Sequence, residues 1–210
     1  MILTYYCAVS MILIAYLLGS IPNAVWIGKK YYGIDIREHG SRNAGTTNML
    51  RVLGRRAALP VFALDFLKGF VAVTIIELMQ YDDLIGQNDL INLKIAAVFA
   101  AVLGHIFPIF AGFRGGKGIL VSLVAILFAD PKIGLIAAVS AILIMAITKY
   151  VSLGSVSGAV IFLVLGLTFR FGDVYFCIFA AIISLLAIIR HKTNIQRLLN
   201  GTESKLSFKK

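Results

Sequence analysis

The chain has 210 residues, 60% of them hydrophobic and 14% charged, with a mean hydropathy of +0.91. This excludes the mixed polar balance of a soluble globular domain. At about 20 apolar residues per bilayer crossing, the length supplies roughly seven crossings and leaves no separate soluble domain. The formal charge of +10 must then sit in the connections.

Apolar runs occupy 3–28, 57–79, 92–111, 118–129, 133–148, 153–169 and 174–189. They predict an all-α integral membrane protein with seven transmembrane helices, a single polytopic domain over residues 1–210. The first run has no Lys or Arg ahead of it and no small-residue cleavage site behind it, which predicts a retained span and not a signal peptide. The fourth is short for a crossing. It follows Gly115, Gly116 and Gly118 and ends at Asp130 and Pro131, so a tilted or broken span is expected there. Cys7 and Cys177 lie inside apolar runs without a His or Cys at ligand spacing, and neither a disulfide framework nor a metal site is expected.

Basic residues near span ends are retained on the cytoplasmic side. Connections 29–56, 112–117 and 149–152 and the tail from Arg190 hold Lys29, Lys30, Arg37, Arg42, Arg51, Arg55, Arg56, Arg114, Lys117, Lys149, Lys192, Arg197, Lys205, Lys209 and Lys210. The alternate connections, 80–91, 130–132 and 170–173, carry Asp82, Asp83, Asp89, Asp130 and Asp173 with only Lys132 and Arg170. The alternation places the N-terminus outside and the C-terminus in the cytoplasm. Attraction to anionic headgroups accounts for part of the charge, but not for the glycines among it.

Between Gly40 and Asn48 the first loop gathers small, hydroxyl and amide residues, which let backbone N–H groups turn toward an anion. Thr46 to Leu53 can form a helix with Asn48 and Arg51 three apart on one face, a cradle for phosphate or an interfacial basic helix riding on headgroups. In the second segment a break is expected between Pro108 and Gly112, and Gly115, Gly116 and Gly118 surround Lys117. It is not a nucleotide-binding P-loop: position 111 is Ala and Gly118 follows the lysine. The third segment is split between Lys149 to Ser155 and Arg190 to Glu203. If the last apolar helix continues past the membrane, His191 and Asn194 share a face, as ligands or as interfacial residues. Asp65 and Lys68, three apart inside the second run, are expected to neutralise each other, and His105 to be a hydrogen-bonded core histidine.

These segments resemble the bacterial acyl-phosphate:glycerol-3-phosphate acyltransferases. The resemblance runs through Leu18 to Pro22, Gly40 to Asn48 with Arg51 and Gly54, Leu64 to Gly69, Gly104 to Pro108, Gly112 to Gly118, Tyr150 to Leu153 and Arg190 to Glu203. It implies a seven-span enzyme of the bacterial cytoplasmic (inner) membrane, its active site facing the cytoplasm. The enzyme would transfer a fatty acyl group from acyl phosphate, and not acyl-CoA, to glycerol 3-phosphate, giving lysophosphatidic acid in phospholipid synthesis. By the same resemblance Ser41, Arg51, Lys117 and His191 are expected as catalytic groups. Asn43, Gly45, Thr47, Asn48, Gly115, Gly116, Gly118, Ser152, Asn194 and Glu203 are expected to bind substrate, the glycine N–H groups lining the donor's phosphate. No cofactor, metal or nucleic acid is implied. The partners are the two substrates, the lipid bilayer and a soluble enzyme that makes acyl phosphate. The chain departs from the family pattern at Arg42, where many relatives have glycine, and at Thr46, Gly154, Lys192 and Thr193.

An acyl phosphate is a reactive mixed anhydride, so alignment and stabilisation of departing phosphate suffice for transfer. No Asp stands five residues after His39, His105 or His191, so the His-x-x-x-x-Asp pairing of acyl-CoA acyltransferases is missing. No cytoplasmic Asp cluster suits metal-dependent phosphotransfer. A small transporter for a phosphate-bearing metabolite and a lipid-binding scaffold are the alternatives from other classes.

Overall fold

The computed structural model describes residues 2–77 and 87–206. The acidic connection at Asp82 and Asp83, and Lys209 and Lys210 in the tail, lie outside the described residues. Among the described residues every regular element is helical. The chain divides into two compact units, Met1–Ala125 and Ile126–Lys210.

The first unit opens with α1 (Ile2–Gly19) and α2 (Asn23–Tyr32). The apolar run expected as one helix over 3–28 is therefore two, because Pro22 has no N–H to continue the ladder and its ring blocks the preceding turn. Together Tyr5–Tyr32 remain long and apolar enough to cross a membrane. A left-handed Gly33 (φ 67°) closes α2 by donating to the Gly28 carbonyl. A 3-10 turn (Ile36–Glu38), α3 (Thr46–Leu53) and α4 (Arg55–Glu77) follow. Ala24, Val25, Ile36, Met49, Ala57 and Val61 form a common core among them. That core fixes the first loop to the membrane helices.

Helix α5 (Gln87–Ile106) lies against α1 and α4. A Cβ at Gly19 would fall on the Ala101 carbonyl, and one at Gly104 on the Tyr16 carbonyl and the Ser20 nitrogen. In lipid, helices associate by close van der Waals packing, and glycine admits that approach.

Inside this unit Lys68 Nζ and Asp65 Oδ1 are 2.9 Å apart, both side chains buried. Asn23 donates to Asp65 at 2.9 Å. Lys68 also donates to the Ile21 carbonyl at 3.0 Å, an acceptor at the α1–α2 break that it shares with the Asn23 N–H. The expected pairing is present, and it acts across the fold as well as along its own helix.

Helix α6 (Ile119–Ala129) has 11 residues and rises about 16 Å, half of the ~30 Å hydrocarbon layer. The second unit contains α7 (Pro131–Thr148), α8 (Val151–Phe169), α9 (Val174–Arg190) and α10 (Lys192–Leu199). Asp130 caps α7 by accepting from the Lys132 and Ile133 N–H groups. Space for α7 against α8 comes from Gly154 and Gly158, whose added Cβ atoms would meet Met145 and Ala141. Phe162, Phe176 and Phe179 pack in tilted and edge-to-face contacts between α8 and α9.

Among the described residues five segments are long and apolar enough to cross a membrane, six if the bent pair α9 and α10 is one span. Their outer faces carry exposed Leu13, Phe66, Leu135, Ile142, Val164 and Leu185, a surface that lipid and not water solvates. Replacing Gly104 by Leu is expected to force α5 off α1, costing on the order of 1–3 kcal/mol or more. Thermal unfolding of the purified protein in detergent, followed by size-exclusion recovery, measures it, and an unchanged midpoint would contradict the packing described.

Candidate functional site

In the first unit the loop after α2 is shaped by a buried amide. Asn48, on α3, accepts the Ser41 N–H through Oδ1 at 2.9 Å and donates to the Ile36 and His39 carbonyls, both at 3.0 Å. Its side chain is 1% exposed, so Asn48 braces the turn that presents Ser41. Gly40 (φ 58°) fits there because a Cβ would run into Asn48 Oδ1 and Val52. Gly45 starts α3, its carbonyl accepting from the Asn48 and Met49 N–H groups. Thr47 and Arg51 are half-buried along α3 and Asn43 is half-buried in the turn. Arg42 is exposed in the left-handed region at φ 58°, a conformation natural to glycine that costs other residues about 1–2 kcal/mol.

The expected break after α5 occurs at Phe107 and Pro108, followed by a 3-10 turn (Ile109–Ala111) and the extended Arg114–Gly118 stretch. The Gly115 N–H donates to the Ile106 carbonyl at 3.2 Å and the Gly116 N–H to the His105 carbonyl at 3.1 Å. These donors cap the C-terminal end of α5. The glycines are required for close approach. A Cβ at Gly115 would strike the His105 carbonyl, and one at Gly116 would strike the His105 ring and the Ala44 carbonyl. The last of these neighbours brings the Gly40–Asn48 turn and the Lys117 loop together. Gly118 (φ 80°) turns the chain into α6.

Arg37 joins the same two segments. Its Nε and Nη2 donate to the two oxygens of Asp35, at 2.9 and 2.7 Å, and its Nη1 donates to the Ala111 carbonyl at 2.8 Å and the Arg114 carbonyl at 3.3 Å. Hydrogen bonding by Arg37, against the opposing effect of burial, holds the Asp35 carboxyl well below the usual carboxylate range. In the sequence Arg37 reads only as a topology charge. An acid two residues before a base in a loop gives no sign of two distant carbonyls.

The second unit has a different centre. Glu203 is buried, its Oε1 accepting from Ser152 at 2.8 Å and Asn194 at 2.7 Å, its Oε2 from Arg197 at 2.7 Å. The tail reaches there because Gly201 (φ 68°) reverses the chain, and the Leu206 N–H donates to the Lys149 carbonyl at 2.7 Å. Burial raises the Glu203 pKa, but the three donors and the Arg197 charge outweigh it and hold the carboxyl below its ordinary value. Arg197 is legible as a basic residue; its place beside Glu203 is not.

His191 sits where α9 stops. The helix does not continue: α9 and α10 bend by 59°, with His191 closing the first and opening the second. His191 Nδ1 lies 2.8 Å from the Ala187 carbonyl. A carbonyl can only accept, so Nδ1 carries the proton, and in the neutral ring the lone pair is on Nε2. His191 and Asn194 are both buried, at 3% exposure each. Among the described residues no group of three or more His, Cys, Asp or Glu side chains could hold a metal.

The fold and these clusters define an all-helical integral membrane protein with its polar machinery at helix ends. The chain belongs to the glycerol-3-phosphate acyltransferase family, whose model matches residues 9–201. Glycerol-3-phosphate acyltransferases of Thermoanaerobacter sp. strain X514 (47% identical over 96% of this chain and 97% of that one) and Fusobacterium nucleatum (41%, over 98% and 100%) are close relatives. That of Bacillus subtilis strain 168 is 40% identical over 94% of this chain and 97% of its own. Crystal structures of PlsY, an integral membrane glycerol 3-phosphate acyltransferase, superpose with a TM-score of 0.82 in the glycerol 3-phosphate form and 0.78 in the lysophosphatidic acid form. They are 34% and 33% identical, each over 96% of both chains.

Two outcomes test this geometry. Arg42→Gly relieves the left-handed strain but gains unfolded-state freedom of about 0.4–1 kcal/mol, so a net rise in stability of up to about 1 kcal/mol is expected in thermal melts. For Glu203 the folded pKa is depressed, so its contribution is fully present above the unfolded value of about 4.3. It is lost as pH falls below that toward the folded value. The wild-type melting temperature should drop over this acid range by more than that of Glu203→Gln, whose side chain does not titrate. Parallel curves would contradict the network.

Proposed function

We propose that this chain transfers a fatty acyl group from acyl phosphate to glycerol 3-phosphate, releasing lysophosphatidic acid and phosphate for phospholipid synthesis. Acting as one polytopic domain with seven spans, it would have its N-terminus outside and its C-terminus in the cytoplasm. The reaction would run at the cytoplasmic face of a bacterial inner membrane. The observation that carries this reading is the joint placement of Arg51 and Lys117 on two segments that meet at Ala44 and Gly116, in a chain whose family match is nearly end to end.

The chemistry follows from charge. Both substrates are anionic at the polar end and the donor has a tail that belongs in lipid, so cations at the membrane surface serve both. Arg51 and Lys117 hold phosphate groups, while Ser41, Ser152, His191 and Asn194 orient glycerol 3-phosphate. Asn43, Gly45 and Thr47 shape the surrounding turn, and Asn48, Gly115, Gly116, Gly118 and Glu203 hold these groups in place. The acceptor hydroxyl oxygen attacks the acyl carbonyl carbon, the bond from that carbon to the phosphate oxygen breaks, and the hydroxyl proton passes to the departing phosphate. His191 has its Nδ1 proton committed to Ala187, and Nε2 faces the acceptor as a hydrogen-bonding partner. Donor would be delivered by a soluble enzyme that makes acyl phosphate.

Purified protein given palmitoyl phosphate and labelled glycerol 3-phosphate should yield lysophosphatidic acid and phosphate in equal amounts. Activity with acyl-CoA and none with palmitoyl phosphate would overturn the donor. With His191→Gln the KM for glycerol 3-phosphate is expected to rise about tenfold while turnover stays within a few-fold of wild type. A drop in turnover of about a hundredfold or more would instead make His191 the base.

A further inference from the structure

His105 takes no part in the reaction as written, yet it is the meeting point of three things the structure places together. It lies in the last turn of α5, just before the break, and is buried at 9% exposure. Its Nδ1 lies 3.6 Å from Asp65 Oδ1, the oxygen that also holds Lys68 and Asn23. On the other side the ring lies so close to the Gly116 Cα that no β-carbon fits there, and the backbone of the same histidine accepts the Gly116 N–H at 3.1 Å. Side chain and main chain of one residue thus hold one glycine, next to Lys117.

We infer that His105 is a positioning residue for the Lys117 loop, transmitting the fixed location of the Asp65 cluster to a segment that carries Lys117 on a glycine-flanked backbone outside any helix. A loop with glycine at 112, 115, 116 and 118 has high backbone entropy, and Arg37 restrains its first half, up to Arg114. Without the ring the Gly115–Gly118 stretch would keep its backbone hydrogen bonds to α5 but lose the surface that sets how far Gly116 sinks toward that helix. The location of Lys117 would spread by about an ångström, which weakens its hold on a phosphate group and so raises KM more than it lowers kcat. A hydrogen-bonding side chain of similar reach should substitute; an apolar one of similar volume should not, because Asp65 would lose a polar neighbour in a dry interior.

The inference rests on the proposed function for its kinetic arm and stands apart from it in a second arm. His105→Leu is expected to raise the KM for glycerol 3-phosphate at least tenfold with a smaller change in kcat, and His105→Gln to remain within about threefold of wild type. Independently of turnover, limited trypsin digestion of the folded full-length protein in detergent, mapped by mass spectrometry, should cut after Arg114 and Lys117 at least five times faster in His105→Leu than in wild type. His105→Gln should again behave like wild type. Faster cleavage with no turnover in the wild type would sink the acyl-transfer reading and keep the inference. Equal cleavage and equal KM in all three proteins would overturn it. So would a fall in activity that follows the melting temperature in both variants without selective cleavage at these two sites, since that marks a histidine that serves folding alone.

Discussion

A lysine in a hydrocarbon layer must have an anion beside it, and the first unit is arranged around that requirement. Lys68 pairs with Asp65 one turn away, which removes the net charge but leaves several hydrogen-bonding positions to satisfy. Asn23 fills one on Asp65, and Lys68 uses another of its own on the Ile21 carbonyl. Two helix ends are thereby drawn to α4. Breaking a helix in lipid exposes carbonyls, and a break is tolerated where a buried donor meets them. The interruption at Ser20–Pro22 and the ion pair therefore support each other: the pair gains Asn23 as a donor and the Ile21 carbonyl as an acceptor from the break, and that carbonyl gains the Lys68 donor beside the Asn23 N–H.

This dependence explains what can and cannot be seen in the sequence. Helix existence is legible because apolar runs of about 20 residues have one solution in lipid. The Thr46–Leu53 helix is legible because small polar residues precede it and apolar ones return on one face. The Asp65–Lys68 pair is legible because residues three apart share a helix face. By contrast, the partners of Asn23, His105 and Arg37 are reached through space, over 42 residues from Asn23 to Asp65 and 74 from Arg37 to Ala111. No local period encodes such distances. The end of α9 at His191 escapes the sequence for a related reason: periodicity says which residues would share a face if the helix went on, not whether a side chain bonding to its own helix's carbonyl ends it.

The glycines of the Lys117 loop show how one composition supports two physical roles. A run of glycines beside a lysine suggests N–H groups turned toward an anion, and the residues are compatible with that. The structure seats the Gly115 and Gly116 N–H groups on carbonyls of α5. Both uses need a residue without Cβ, so a sequence alone cannot separate them. The distinction matters chemically, because N–H groups occupied by helix carbonyls leave the cationic side chains to carry the electrostatic part of any phosphate contact.

Glu203 completes the contrast between the units. A carboxylate close to where anionic substrates are proposed to bind would repel them unless its charge were already spent. Here Oε1 serves two donors and Oε2 a third that is itself charged, so the field of the carboxylate is balanced within its own cluster. The same bonds that lower its proton affinity disqualify it as the base, since a carboxylate held below its ordinary pKa accepts a proton poorly near neutral pH. What it can do is fix the hydroxyl of Ser152 and the amide of Asn194 by occupying one donor of each. The Ser152 lone pairs are left as acceptors of defined direction, the kind of group that a hydroxyl donor requires. A buried acid in this setting is the means by which neutral side chains acquire orientation.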